Sequence, residues 1–164
     1  MSNYFQGKSD HPYHLSVGAV LLNDKNEVAC HYFVDAPVIG GEVCILMRES
    51  VEEGERLEES LVRGLMEEFG AVGEIINFIG SKETSYESKG VSIQKTTLYF
   101  LVRLKGIDEK SRLENDPESS SKIIWLNLDE GIRKMESIYK ERKISDINES
   151  DILERAKLEI FTSS

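Results

Sequence analysis

The stretch from Glu49 to Ala71, ESVEEGERLEESLVRGLMEEFGA, restricts the possible folds of this chain more than any other segment. Leu57, Leu61 and Leu65 recur every four residues, with Val62, Met66 and Phe69 beside them. At about 100° per residue these side chains fill one broad apolar face of a helix over residues 57–69. Its other face is acidic, with Glu58, Glu59, Glu67 and Glu68. Gly70 stands where a left-handed C-terminal cap takes a glycine, and an acidic loop from Glu49 to Glu55 leads into the first turn.

Around this unit the chain alternates strands and helices. Leu15 to Leu22 (LSVGAVLL), the turn residues Asn23 to Asn26 and Val28 to Val34 predict a hairpin. Val43 to Met47 is a third short strand, bounded upstream by Pro37 and Gly40-Gly41. After the helix, Glu74 to Gly80 and Val91 to Leu104 predict two strands, and Lys105 to Ser121 is a polar loop. Ile123 to Leu128 is a last strand, Asp129 to Tyr139 a short helix, and Asp151 to Phe161 an amphipathic C-terminal helix with Asn148 or Ser150 as its N-cap. This order predicts an α/β fold in which helices cover a mixed sheet. No repeat or low-complexity linker divides residues 11–164, so one domain is expected. Tyr4-Phe5-Gln6-Gly7 resembles the core of a tag-removal protease site, and residues 1–10 are set aside as an N-terminal extension.

The net charge of -10 disfavours a nucleic-acid partner, because an acidic surface repels a polyphosphate backbone. It does not oppose a small phosphorylated substrate held through a cation. No apolar run is long enough to span a membrane. Cys30 and Cys44 lie in apolar strand-like stretches without partners at metal-ligand spacing, so buried free thiols and a cytoplasmic setting are expected. His11, His14 and His31 show no triad-like spacing, which disfavours a histidine-based nucleophilic mechanism. Tyr99 and Phe100 are expected in the core, and Tyr86 is a candidate base-stacking residue.

The 49–71 segment resembles the Nudix box, G-x5-E-x7-R-E-U-x-E-E-x-G-U with U a bulky aliphatic residue. Glu55, Arg63, Leu65, Glu67, Glu68 and Gly70 stand at the matching positions, and Ala71 is a weak match for the last aliphatic. Glu49 stands where the first glycine belongs, and Gly64 stands where the first glutamate of the R-E-U-x-E-E core belongs. The preceding hairpin, the following long strand and Trp125-Leu126 before Leu128-Asp129-Glu130 are similar to the usual Nudix order, so the resemblance covers most of residues 13–140.

The resemblance implies an α/β/α sandwich and metal-dependent hydrolysis of a pyrophosphate linkage in a small nucleoside diphosphate derivative or related organic pyrophosphate. The cation implied is Mg²⁺ or Mn²⁺, with Glu67 and Glu68 as ligands, and a homodimer is compatible with the family. Hard divalent cations held by carboxylates stabilise charge on phosphate oxygens and activate water. Positions 64, 67 and 68 share one stripe of the helix. Glycine at 64 costs the helix about 1 kcal/mol relative to alanine, which calls for a reason such as close approach of another segment. Glu49, the additional carboxylate, is expected to reach toward the space above Gly64, in a metal or base role.

Glu55 is a candidate ligand, base or outer-sphere carboxylate, or a simple partner for the helix dipole. Arg63 is expected to pair with a loop carboxylate and fix its geometry. Asp116 and Glu118 sit where many Nudix enzymes carry a further acidic group on a loop; a flexible polar loop is the plainer account. The alternative to an enzyme is a catalytically weak Nudix-fold ligand-binding or regulatory module, because Gly64 lacks the usual carboxylate.

Overall fold

A computed structural model of the chain describes residue 7, residues 10–114 and residues 120–162. Asp116 and Glu118 lie outside the described residues. The strands are β1 (Tyr13–Leu22), β2 (Glu27–Phe33), β3 (Val43–Ile45), β4 (Met47–Ser50), β5 (Ala71–Ser88), β6 (Val91–Ile107) and β7 (Lys122–Asn127). The helices are α1 (Leu57–Phe69), α2 (Leu128–Arg142) and α3 (Ser150–Thr162). The strands form one mixed sheet with the path β3-β2-β1-β6-β5, to which β4 adds on β1 and β7 on β2. β1 and β6 run parallel, whereas the other pairs are antiparallel.

Alternation along β1 assigns the two faces. Val17, Ala19 and Leu21 pack with Leu61, Leu65 and Phe69 of α1, while Val20 and Leu22 pack with Ile132, Met135, Ile152 and Leu153 of α2 and α3. The result is the expected α/β/α sandwich. Cys30 and Cys44 are buried free thiols, and Tyr99 is a core residue.

The predicted hairpin is different in detail. β1 and β2 pair only where Leu22 faces Val28, and then diverge. β2 continues between β3 and β7, whereas β1 takes β4 on one side, from Ser16 opposite Ser50 to Ala19 opposite Met47. The predicted Val43 to Met47 strand therefore divides at Leu46, where the chain changes partner. A buried peptide N–H without a ladder partner needs another acceptor. Leu46 N–H donates to Glu149 Oε1 at 2.8 Å, and Tyr99 O–H donates to Glu149 Oε2. That switch starts β4 in the register that carries Glu49 to α1.

β5 starts before and ends well beyond the predicted Glu74 to Gly80 strand because its partner continues: Ala71 faces Ile107 and Ser88 faces Val91. Lys89 and Gly90, at φ 49° and 79°, close the two-residue hairpin. The predicted loop at Lys105 begins as strand to Ile107 and then makes a 3-10 turn at Glu109–Ser111. Both later helices exceed their predicted spans. Asn127 caps α2 through Oδ1 to Glu130 N–H, and Asn148 Oδ1 accepts from Ser150 N–H at the start of α3.

Candidate functional site

α1 occupies the predicted span and ends at Gly70, whose φ is 64°. At its first turn Arg56 is the N-cap residue and Glu59 accepts from the Arg56 N–H, so the loop enters the helix in a fixed direction. Arg63 projects from α1 into the Glu49 to Glu55 loop. Its Nε and Nη2 donate to Glu55 Oε1 and Oε2 at 2.8 and 3.0 Å, and Nη2 also donates to the Ser50 carbonyl at 2.8 Å. The bidentate fork fixes both distance and orientation. Arg63 thus pairs with Glu55, a carboxylate of the loop.

Glu55 is engaged on both oxygens. Besides Arg63, its Oε2 accepts from Ser60 O–H at 2.6 Å and from Glu52 N–H at 3.0 Å. The hydrogen bonds from Arg63 hold its carboxyl at about 2, with Ser60 and the Glu52 amide adding to the effect against the cost of burial. Such a carboxylate suits bracing of the loop rather than uptake of a proton from water. Its folded pKa lies below the ordinary value of 4.5, so its stabilising contribution is complete above 4.5 and is lost as the pH falls toward 2. Thermal melts between pH 6 and pH 2.5 should therefore show a fall in Tm that is shallower in Glu55→Gln; equal slopes would contradict the assignment.

The remaining fork nitrogen of Arg63 marks where carboxylates converge. Nη1 lies 3.2 Å from Glu49 Oε1, 3.4 Å from Glu67 Oε2 and 3.9 Å from Glu52 Oε1. Glu49 Oε1 also accepts from Ser50 N–H at 3.0 Å. The glycine in mid-helix has a packing reason. A Cβ placed on Gly64 would meet Glu49 Cβ at 2.7 Å, Met47 Sδ at 3.0 Å and Glu49 Cγ at 3.1 Å. The side chain of Glu49 lies in the volume that a residue-64 side chain would need.

Glu67 and Glu68 were expected to enter one cleft together, and the structure separates them. Glu67 is one-third exposed and faces Arg63. Glu68 is 3% exposed and directs Oε2 to His31 Nε2 at 2.8 Å. The reason is helical geometry: residue 67 lies one turn from Arg63 on the loop side, while residue 68 lies one turn from Gly64 on the stripe that meets the sheet.

The sequence reading found no triad-like partner for His31 and did not single out Ser121, and the structure brings the two together. His31 Nδ1 lies 2.6 Å from Ser121 Oγ, so His31 sits between a serine and a glutamate from segments 90 and 37 residues away. The available signal was a polar residue at an inward position of β2, between Cys30 and Tyr32.

Among the described residues, no group of three or more His, Cys, Asp or Glu side chains forms a ready metal cluster. Two carboxylates, those of Glu49 and Glu67, converge on Arg63 Nη1. Magnesium commonly keeps several waters and takes one or two protein carboxylates together with substrate phosphates. The donor set therefore fits a hydrated hard cation.

The model of the NUDIX domain matches residues 12–145. The chain belongs to the Nudix family. Two solved Nudix structures are similar to it. A "NUDIX hydrolase from Nitrosomonas europaea" aligns with a TM-score of 0.67 at 16% identity, covering 88% of each chain. A "MutT NUDIX hydrolase from Burkholderia pseudomallei" aligns with a TM-score of 0.55 at 18% identity, covering 71% of this chain and 84% of that one. At such identities the likeness is one of fold. A search of curated proteins gives no match. Within the described residues, no helix is long and apolar enough to cross a membrane.

Proposed function

We propose that this Nudix domain hydrolyses the pyrophosphate linkage of a small nucleoside diphosphate derivative or related organic pyrophosphate in the presence of Mg²⁺ or Mn²⁺. The observation that carries the proposal is the position of Glu49 against Gly64. The carboxylate missing from position 64 is supplied from β4, so the two departures from the box compensate each other. Glu49 and Glu67 would hold the cation. When bound, that cation supplies charge for phosphate oxygens and acidity for a water. Arg63 and Glu55 keep the loop at a fixed distance from the helix.

The organic group has a candidate place nearby in sequence. A cavity of about 250 Å³ is lined by Phe33, Ile39, Val43, Ile45, Arg48 and Asp146, among others. Arg48 and Glu49 are consecutive in β4 and so face opposite sides of the strand. Among the described residues β4 pairs only with β1.

The burial of Glu68 against His31 favours a second function, a binding module that holds a pyrophosphate ligand without cleaving it. Calorimetry separates the two when combined with a product assay. The hydrolase should bind Mn²⁺ at millimolar concentration or below, bind methylene diphosphonate only with metal present, and release phosphate or pyrophosphate from nucleoside diphosphate derivatives. Binding of both probes with no product from any such derivative would assign the module instead. Absence of metal binding would remove both.

A further inference from the structure

The contacts around Glu68 form a connected series from four segments. His31 is fully buried on β2, with its ring 4.4 Å from that of Phe69 between centroids. It reaches Glu68 of α1 through Nε2 and Ser121, just before β7, through Nδ1. Arg112, beyond β6, donates from Nη2 to Ser121 Oγ at 2.8 Å and from Nη1 to the Ser121 carbonyl at 3.0 Å. Ser121 is 6% exposed and Glu68 3%.

The chemistry of the donors sets the direction of this series. A guanidinium only donates, so Ser121 Oγ accepts from Arg112. Two arrangements of the imidazole satisfy the remaining contacts. In one, Ser121 O–H donates to Nδ1 and the ring carries its proton on Nε2, donating to Glu68. In the other, both nitrogens are protonated and the ring is cationic. In both arrangements Nε2 carries a proton and donates to Glu68, so the direction of that contact does not depend on the charge of the ring.

We infer that His31 is a positioning residue of the Nudix site: Arg112 and Ser121 fix its Nε2–H toward α1, and that N–H holds Glu68 in one orientation on the inner wall. The order Ser121-His31-Glu68 also resembles a nucleophilic triad. Ser121 does not fit that role, because its Oγ accepts from Arg112, and it is enclosed.

The segment carrying Arg112 is itself tied to the end of α1. Asp108 N–H donates to the Gly70 carbonyl at 2.9 Å, and Leu113 N–H donates to the Glu67 carbonyl at 2.8 Å. A shift of this segment would therefore reach Glu67 through the backbone and Glu68 through His31. Removal of such an outer partner from a metal site typically costs 10–100-fold in affinity or activity.

The role of His31 rests on the proposed hydrolase function, and two measurements keep them distinct. Long-range ¹H–¹⁵N NMR of the histidine side chains, with His31 assigned by its loss in His31→Gln, should show Nε2 of His31 carrying a proton at pH 7. Ser121→Ala should change the Nδ1 resonance, since it removes the hydroxyl 2.6 Å from that nitrogen. A ring protonated at Nδ1 alone would overturn the inference whatever the activity.

The kinetic arm compares two replacements. His31→Gln keeps an N–H able to reach Glu68 and should retain kcat within about threefold, whereas His31→Leu should lower kcat roughly 10–100-fold with KM little changed. Because His31→Leu leaves Glu68 buried without that donor, Ser121→Ala serves as the milder variant. It should lower kcat to an intermediate value with Tm within a few degrees of wild type. Equal kcat in His31→Gln and His31→Leu would overturn the positioning role. If the wild type hydrolyses no pyrophosphate, the hydrolase function fails separately, and the Nε2 proton together with Mn²⁺ affinity in the same variants decides the role of His31.

Discussion

Glu49→Gln should reduce hydrolysis by roughly 100-fold or more, the scale expected when a ligand that stabilises transition-state charge is lost. The protein should remain folded, because glutamine can still accept from Ser50 N–H as Glu49 does at 3.0 Å. Gly64→Glu, which restores the usual box residue, should not raise activity. Its Cβ alone would lie 2.7 Å from Glu49 Cβ and 3.0 Å from Met47 Sδ, so one side must move. Overpacking of this kind costs about 1–3 kcal/mol, which for a domain of this size lowers Tm by roughly 2–12 °C.

The exchange variant is more discriminating. Glu49→Gly combined with Gly64→Glu removes the clash with Glu49 and leaves only the mobile end of Met47 in contact. It moves the carboxylate from strand to helix and should recover activity relative to Glu49→Gln. Parallel kinetics on one accepted substrate test all three. A tenfold gain in Gly64→Glu with no loss in Glu49→Gln would show that the two positions are unrelated.

Arg63→Met should produce the largest change in stability among the site residues. The guanidinium contacts Glu55 twice, the Ser50 carbonyl, Glu49 and Glu67. Without it, several carboxylates of the loop and helix face one another across the same space. Breaking a fully buried pair from one side costs about 3–5 kcal/mol; here Arg63 and Glu55 are 23% and 16% exposed, so screening brings the expected loss to about 2–3 kcal/mol. Activity should fall more than tenfold, because the loop no longer has a fixed distance from α1. Divalent cation should raise Tm more in Arg63→Met than in wild type, since it replaces part of the missing positive charge. A wild-type Tm and an unchanged response to Mg²⁺ would contradict this role for Arg63.

The relation between sequence and structure differs from element to element. α1 was legible to its last residue because three independent signals agree: the leucine spacing, the acidic entry and Gly70 with φ 64°. β5 was recognised only in part. Its pairing with β6 shifts register at Val72/Gly73, Ile75/Asn77 and Phe78/Gly80, which breaks the two-residue alternation on which strand recognition depends. Its second half, SKETSYES, is polar and gains its structure from β6 rather than from burial. The division at Leu46 was hidden for another reason. VCILM is uniformly apolar, and the acceptor that stabilises the switch, Glu149, comes from 103 residues away.

The site shows the same contrast. Arg63 with Glu55, and Glu49 over Gly64, join residues 8 and 15 positions apart through one loop and helix, so box spacing could bring them together. His31, Ser121 and Arg112 meet Glu68 through the sheet and the segment after β6, contacts that no local periodicity encodes. Burial of Glu68 was also outside local reach. Its helix position suits either the loop or the sheet, and the imidazole on β2 supplies the partner on the sheet side.

The most direct test is metal-dependent hydrolysis by wild type and Glu49→Gln in one experiment. Nucleoside diphosphate sugars, dinucleoside polyphosphates and nucleoside triphosphates would be incubated with and without Mg²⁺ or Mn²⁺, and released phosphate, pyrophosphate and nucleoside phosphates measured. Wild type should cleave at least one class only with metal, and Glu49→Gln should lose roughly 100-fold of that rate. Cleavage that needs no metal, or equal rates in the two proteins, would contradict a Nudix hydrolase whose missing helix carboxylate is supplied by Glu49.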